Sequence, residues 1–399
     1  MLISAGHVYL GLAILRILVV VLLILGFPQL ESHDGWYFHH GGDQNYYFDY
    51  GQVLASGTFS QYFSVNLGMP SLMAVAIRVT GASSYSELLP LVVLMNGFLF
   101  GGLSVFLVGR LAAHLTRSEI SGYLAAALWA LMPWLLWLMF WPHPQASLLR
   151  MPYVPGAAWL QGGPDGPGVF FALLGMYFLA LSLDSEQLRW PLLSGMAFGT
   201  MMLFRVHFVA LVLLGVLLLV LKLRGWHLAL FSVSAAALYL PQVIYNRIAS
   251  LSLGTPGYNP WLPGYLYFGV LDVMAETAYY SDNPSMNMVA FGHLQNTFRT
   301  LIAGGTVMMY LVILAVGFAV WGFFRAGRSL GWDRSMLMFG SPLAAIGILI
   351  LSPIFVENIY RFTLPAIPFF MVLISWLWVA LSRLRIRHRI IRIFRSRNT

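Results

Sequence analysis

Apolar residues in this chain gather into runs of about 20, the length a helix needs to cross the hydrocarbon core of a bilayer. Candidate spans fall at roughly 8–28, 88–110, 119–140, 166–183, 191–204, 206–223, 226–246, 300–324, 336–355 and 360–382. Residues 191–204 are the shortest of these for a full crossing. A water-soluble domain gives about a quarter of its residues to Asp, Glu, Lys and Arg; here the share is 9%. The expectation is an all-α integral membrane protein of about ten transmembrane helices, with residues 1–382 as one domain and 383–399 as a basic cytoplasmic tail. The apolar stretch from Met69 to Thr80 is too short to cross and contains Arg78, so it reads as a helix lying at the membrane surface.

Charge fixes an orientation. Cytoplasmic loops of membrane proteins carry the excess of Lys and Arg. Arg110, Arg117, Arg189, Lys222, Arg224, Arg325, Arg328, Arg334 and the seven arginines between Arg383 and Arg397 fall on one side of a ten-span chain. Only Arg78, Arg150, Arg247 and Arg299 fall on the other. Both termini are therefore expected in the cytoplasm, and the tail next to anionic lipid. The net charge of +8 is explained by this distribution and implies no nucleic-acid partner. The first apolar stretch has no small-residue cleavage site and reads as a retained helix. The absence of cysteine excludes disulfides, thiolate metal sites and a Cys nucleophile. The absence of an Asn-x-Ser/Thr acceptor favours a bacterial source, hence an inner (plasma) membrane.

Two long segments then face outward, 29–87 with short juxtamembrane helices and 247–299; a shorter one is 141–165. Ten of the fourteen acidic residues lie on this side. The first segment carries His33-Asp34-Gly35, His39-His40-Gly41-Gly42, then Asp43-Gln44-Asn45-Tyr46-Tyr47-Phe48-Asp49-Tyr50 and Gly57. The glycines break structure, Asp43 can cap the helix that follows, and Tyr46, Tyr47 and Tyr50 are spaced to share a flank with it. A carboxylate there can take a proton from a hydroxyl, and aromatic faces can stack on a sugar ring. An N-cap aspartate beside an interfacial aromatic belt accounts for the same residues.

At this segment the sequence resembles the GT-C superfamily of membrane glycosyltransferases, which includes protein O-mannosyltransferases and the enzymes that add aminoarabinose to lipid A. Asp43-Gln44-Asn45-Tyr46-Tyr47, Leu54-Ala55-Ser56-Gly57 and Met69-Pro70 look like its outer-loop pattern; Gln44 stands where many members carry a second acidic residue. Pro164-Asp165-Gly166-Pro167, Phe204-Arg205-Val206 and Tyr360-Arg361 through Pro365 and Pro368 resemble later family motifs, in order. The resemblance covers about residues 8 to 380.

It implies transfer of a sugar from a polyprenyl-phosphate or diphosphate carrier to a lipid, glycan or protein acceptor, with inversion. Asp43 would be the general base, and Asp165, the second catalytic residue, would orient the acceptor or stabilise the oxocarbenium-like centre. Arg205 and Arg361 would hold the phosphate, with Tyr46, Tyr47 and His143 against the substrate. Arg361 and Glu357 could equally form an i, i+4 ion pair. A divalent cation, Mg or Mn, would draw on Asp34 and Asp49 beside Asp43; solvated loop acids explain these two as well. The alternatives are an O-antigen or polysaccharide polymerase or ligase, which would lack the early Asp-x-x-Tyr-Tyr helix, and a lipid-linked-sugar flippase or transporter, which would carry charged or broken helices at mid-membrane. Arg16 in the first span has no partner legible from sequence.

Overall fold

The computed structural model describes residues 5–26, 43–58, 66–140, 165–252, 305–350 and 366–396. All regular structure among them is helical: α1 (Ala5–Gly26), α2 (Asp43–Ala55), α3 (Gly68–Thr80), α4 (Tyr85–Thr116), α5 (Glu119–Phe140), α6 (Asp165–Asp184), α7 (Arg189–Phe204), α8 (Val209–Leu221), α9 (Gly225–Ser252), α10 (Gly305–Leu330), α11 (Trp332–Ile350) and α12 (Ile367–Ser396). The described residues of each expected span are helical. Three helices, α4, α6 and α9 from Gly225 to Ile248, are long and apolar enough over their described residues to cross a membrane. The chain is a helical membrane protein. Boundaries move most at the last helix, which continues through the arginine-rich tail to Ser396.

The basic segments that sequence placed on one side do meet. Arg334, at the start of α11, binds the Asp184 carboxylate at the end of α6 and the His114 carbonyl near the end of α4. Lys222 after α8 pairs with Asp333 at 3.1 Å, and Arg224 before α9 with Glu186 after α6 at 2.7 Å. Tyr9 near the start of α1 donates to Glu119 at the start of α5 over 2.8 Å. All four acidic residues expected on this side are thus engaged, and the helices alternate in direction between this basic end and the opposite one.

Small residues let the helices approach. In α7 Gly195 and Gly199 lie one turn apart against α9; a Cβ on Gly195 would sit 2.0 Å from Ser234 Oγ, and one on Gly199 2.5 Å from the Ala235 carbonyl oxygen. In lipid, where apolar burial drives little association, such close contacts are the main cohesive force.

Arg16 acquires an explanation. It is fully buried, donates to the Trp129 carbonyl at 2.9 Å and lies 5.3 Å from the indole centroid. In an α-helix that carbonyl would accept from the amide four residues on, but residue 133 is proline and has no N–H. Arg16 supplies the missing donor. The Trp129 indole N–H in turn donates to Ser104 Oγ at 2.8 Å, and Ser104 to the Gly101 carbonyl at 2.6 Å. That carbonyl lies just beyond a π-helical stretch, Val93–Phe100, inside α4. The mid-membrane charge locks α1, α4 and α5 together.

Candidate active site

The end opposite the basic one is built around a turn. Helix α7 has 16 residues and α8 has 13, so they rise only about 24 and 20 Å, less than the ~30 Å hydrocarbon thickness. The reversal between them is Arg205 followed by the short 3-10 helix Val206–Phe208. Arg205 is 5% exposed. A guanidinium at such depth needs a counter-charge. It finds Asp165, 2% exposed, at 2.5 Å.

Asp165 opens α6, where a carboxylate complements the positive end of the helix dipole. Gly168, one turn on, leaves room for the arginine stem: a Cβ there would lie 3.2 Å from Arg205 Cγ and 3.4 Å from a Phe208 ring carbon. Phe204 stacks on Phe171 of α6, centroids 5.8 Å apart and planes within 11°.

Helices α2 and α3 cover this turn. They run in the same direction, since Gly51 packs on Met73 and Arg78 Nε donates to the Ala55 carbonyl at 2.9 Å. That register sets the start of α2, at Asp43, toward the start of α3. The start of α3 rests on the Arg205 turn: a Cβ on Gly68 would lie 2.7 Å from the Leu203 carbonyl oxygen. Tyr47, Phe48, Met69, Met73, Tyr85 and Phe204 form one buried apolar cluster between these elements. The stretch expected to lie at the membrane surface is helical, with Val75 and Val79 exposed and Met73 and Ala76 buried.

The site residues read from sequence are distributed as follows. Asp165 and Arg205 are in contact, and Asp43 begins a helix in register with the segment above them. The three tyrosines do not share one environment. Tyr46 is 60% exposed and Tyr47 is buried. Tyr50 is half-buried, and burial, then Tyr46 and Asp49, push its phenol pKa up. Asp49 is exposed. Asp34, His143 and Arg361 lie outside the described residues, as does the side chain of Asp43.

Among the described residues no three His, Asp or Glu side chains gather to hold a metal ion. Asp34 and the side chain of Asp43, around which the expected divalent-cation site would be built with Asp49, lie outside the described residues.

Sequence reasoning missed three buried amides beside the turn. Gln242 Oε1 accepts from the Leu67 amide at 2.6 Å and its Nε2 donates to Asn246 at 2.9 Å; Asn66 Nδ2 donates to the Met202 carbonyl at 3.3 Å. Gln242 and Asn246 lie four residues apart in α9, a polar pair inside an apolar helix just after Pro241, which was the available signal.

No protein-family model matches the sequence, and no curated protein matches it. Solved structures do. The chain superposes on the oligosaccharyltransferase of the archaeon Archaeoglobus fulgidus crystallised with Zn and sulfate, with TM-score 0.55 and 15% identity over 94% of this chain and 50% of that one. It matches the same enzyme tethered to an acceptor peptide containing the NVT sequon with TM-score 0.55 and 15% identity over 95% and 50% of the two chains. With that enzyme, AglB, bound to an inhibitory peptide and a dolichol-phosphate, the TM-score is 0.54 and identity 15% over 96% and 51%. The chain spans about half the length of these proteins. At this identity the likeness is one of fold.

Proposed function

We propose that the protein is a GT-C glycosyltransferase that moves a sugar from a polyprenyl-phosphate or diphosphate carrier to a lipid, glycan or protein acceptor at the outer face of the membrane. Ten crossings, both termini in the cytoplasm and a bacterial inner membrane complete this reading. The observation that carries it is the buried Asp165–Arg205 pair beneath the start of the α2–α3 layer, on the fold of an enzyme solved with dolichol-phosphate and with an acceptor peptide.

In the scheme, the Asp43 carboxylate takes the proton of an acceptor hydroxyl. That oxygen bonds to the sugar C1 as the bond from C1 to the carrier oxygen breaks, and the electron pair leaves with the phosphate. Attack from the face opposite the leaving group inverts C1. Arg205 and Arg361 stabilise charge on the departing phosphate oxygen. Asp165 holds Arg205 in place and bears a negative charge near the oxocarbenium-like centre. Tyr46, exposed on α2, offers its ring to the sugar; Tyr47 sets the position of α2 from below, and His143 contacts substrate. A divalent cation bound there would draw on Asp34 and Asp49 beside Asp43.

The test is purified protein incubated with a panel of polyprenyl-phospho-sugars and candidate acceptors. Product is expected from at least one donor, and Asp43→Asn should lower transfer by about 10²–10⁴-fold at unchanged expression. Near-wild-type transfer by that variant removes Asp43 from the mechanism. Folded protein that transfers from no donor removes the reading.

A further inference from the structure

The three buried amides point to how the covering layer is held. Asn66 and Leu67 immediately precede α3, and their polar contacts reach α7 and α9 rather than α2. The shortest is the Leu67 amide on Gln242 Oε1, at 2.6 Å and fully buried. Gln242 is oriented by its second bond, to Asn246. The docked layer also contains a cost. Asn66 is 4% exposed, its Nδ2 is fixed by the Met202 carbonyl, and its Oδ1 has no hydrogen-bond partner among the described residues. A buried acceptor left unbonded favours any arrangement that admits water to it. Beside the apolar packing, two polar contacts tie the start of α3 to the bundle, Leu67 to Gln242 of α9 and Asn66 to Met202 of α7, and one unbonded acceptor favours lifting.

We infer that Gln242, oriented by Asn246, is a latch that keeps the α2–α3 pair seated on the Arg205 turn, and that releasing it lets the pair move as a unit away from Asp165 and Arg205. Gln242 is then a positioning residue for the start of α2. Its bearing on sugar transfer rests on the function proposed above; the latch itself can be tested without any substrate.

The chain has no cysteine, so introduced ones are the sole labelling sites. Spin labels at the exposed positions Val75 on α3 and Leu192 on α7 report the seating of the layer; Leu192 with Ile248 on α9 reports the bundle. Pulsed dipolar spectroscopy should give one Val75–Leu192 distance in the parent protein. Gln242→Met keeps the length and apolar volume of the side chain but removes both bonds, and should add a second distance population. Gln242→Glu, protonated in this buried setting, keeps an acceptor for Leu67 and a donor for Asn246, and should restore the single distance. The Leu192–Ile248 distance should stay fixed throughout. A Gln242→Met protein with the parent distance alone overturns the latch. So does a Gln242→Glu protein as altered as Gln242→Met, or a change in the Leu192–Ile248 distance. Failure of every donor in the transfer assay, with the latch distances as expected, overturns the proposed function and leaves the latch standing.

Discussion

The two ends of the bundle solve the same problem, charge at the edge of an apolar slab, in opposite ways. At the basic end ion pairs are several and partly exposed: Glu186, the partner of Arg224, has a side chain 83% exposed, and Lys222 is 40% exposed. Short turns join neighbouring helices there, and water shares the work of solvating the charge. At the other end the ion pair among the described residues, Asp165–Arg205, has side chains only 3% and 6% exposed and lies under the α2–α3 pair. A fold needing only stability could have matched one end to the other. Burying a charge pair gains little stability over apolar packing, and structures that retain one commonly use it for binding or catalysis.

That contrast can be broken experimentally. The largest effect should come from removing one member of the buried pair: Arg205→Met leaves Asp165 charged in an apolar setting and should destabilise by about 3–5 kcal/mol, read as thermal unfolding in detergent. The double variant Asp165→Leu/Arg205→Met should recover much of the loss; equal losses in single and double variants would mean the pair is not coupled. Next, Arg16→Met should cost about 1–3 kcal/mol by stripping the Trp129 carbonyl of its donor. Adding Pro133→Ala should restore part of this, because alanine returns the backbone N–H. No rescue would break the link between Arg16 and Pro133. A similar loss, about 1–3 kcal/mol, is expected for Gly51→Ala, whose Cβ would lie 2.6 Å from Met73 Cβ. Its signature is a loosened α2–α3 layer, seen as faster backbone hydrogen exchange in α2 with α7 unchanged. The smallest effect should be Lys222→Ala at the basic end, about 0–1 kcal/mol and smaller still in high salt. A salt-insensitive loss as large as that of Arg205→Met would erase the distinction between the ends.

Much of this contrast is legible in the sequence, and the physical reason divides what is from what is not. Span length and the bias of Lys and Arg are local properties, so the described parts of the apolar runs are helical and the segments around residues 114–119, 184–186, 222–224 and 333–334 meet at one end. The short helix Gly68–Thr80 was legible because Arg78 interrupts its hydropathy. Asp165 and Arg205 were each singled out for lying near outer helix ends, but their contact spans 40 residues of sequence and no periodicity encodes it. Arg16 looked anomalous for the same reason: its partner carbonyl is 113 residues away, and the clue lay in Pro133 on another helix. Asn66, Gln242 and Asn246 are ordinary polar residues in isolation, and only the fold makes them buried.

The central claim is that a single lipid-phosphate headgroup binds beneath the start of α2, at the Arg205 turn. Photo-crosslinking with a polyprenyl phosphate carrying a diazirine next to the phosphate, followed by peptide mapping, tests it most directly. The expected adducts lie at the beginnings of α2, α3 and α6 and in residues 204–208, and weaken in Arg205→Met. Adducts concentrated at the basic end, around residues 110–117, 184–189 and 328–334, would contradict it.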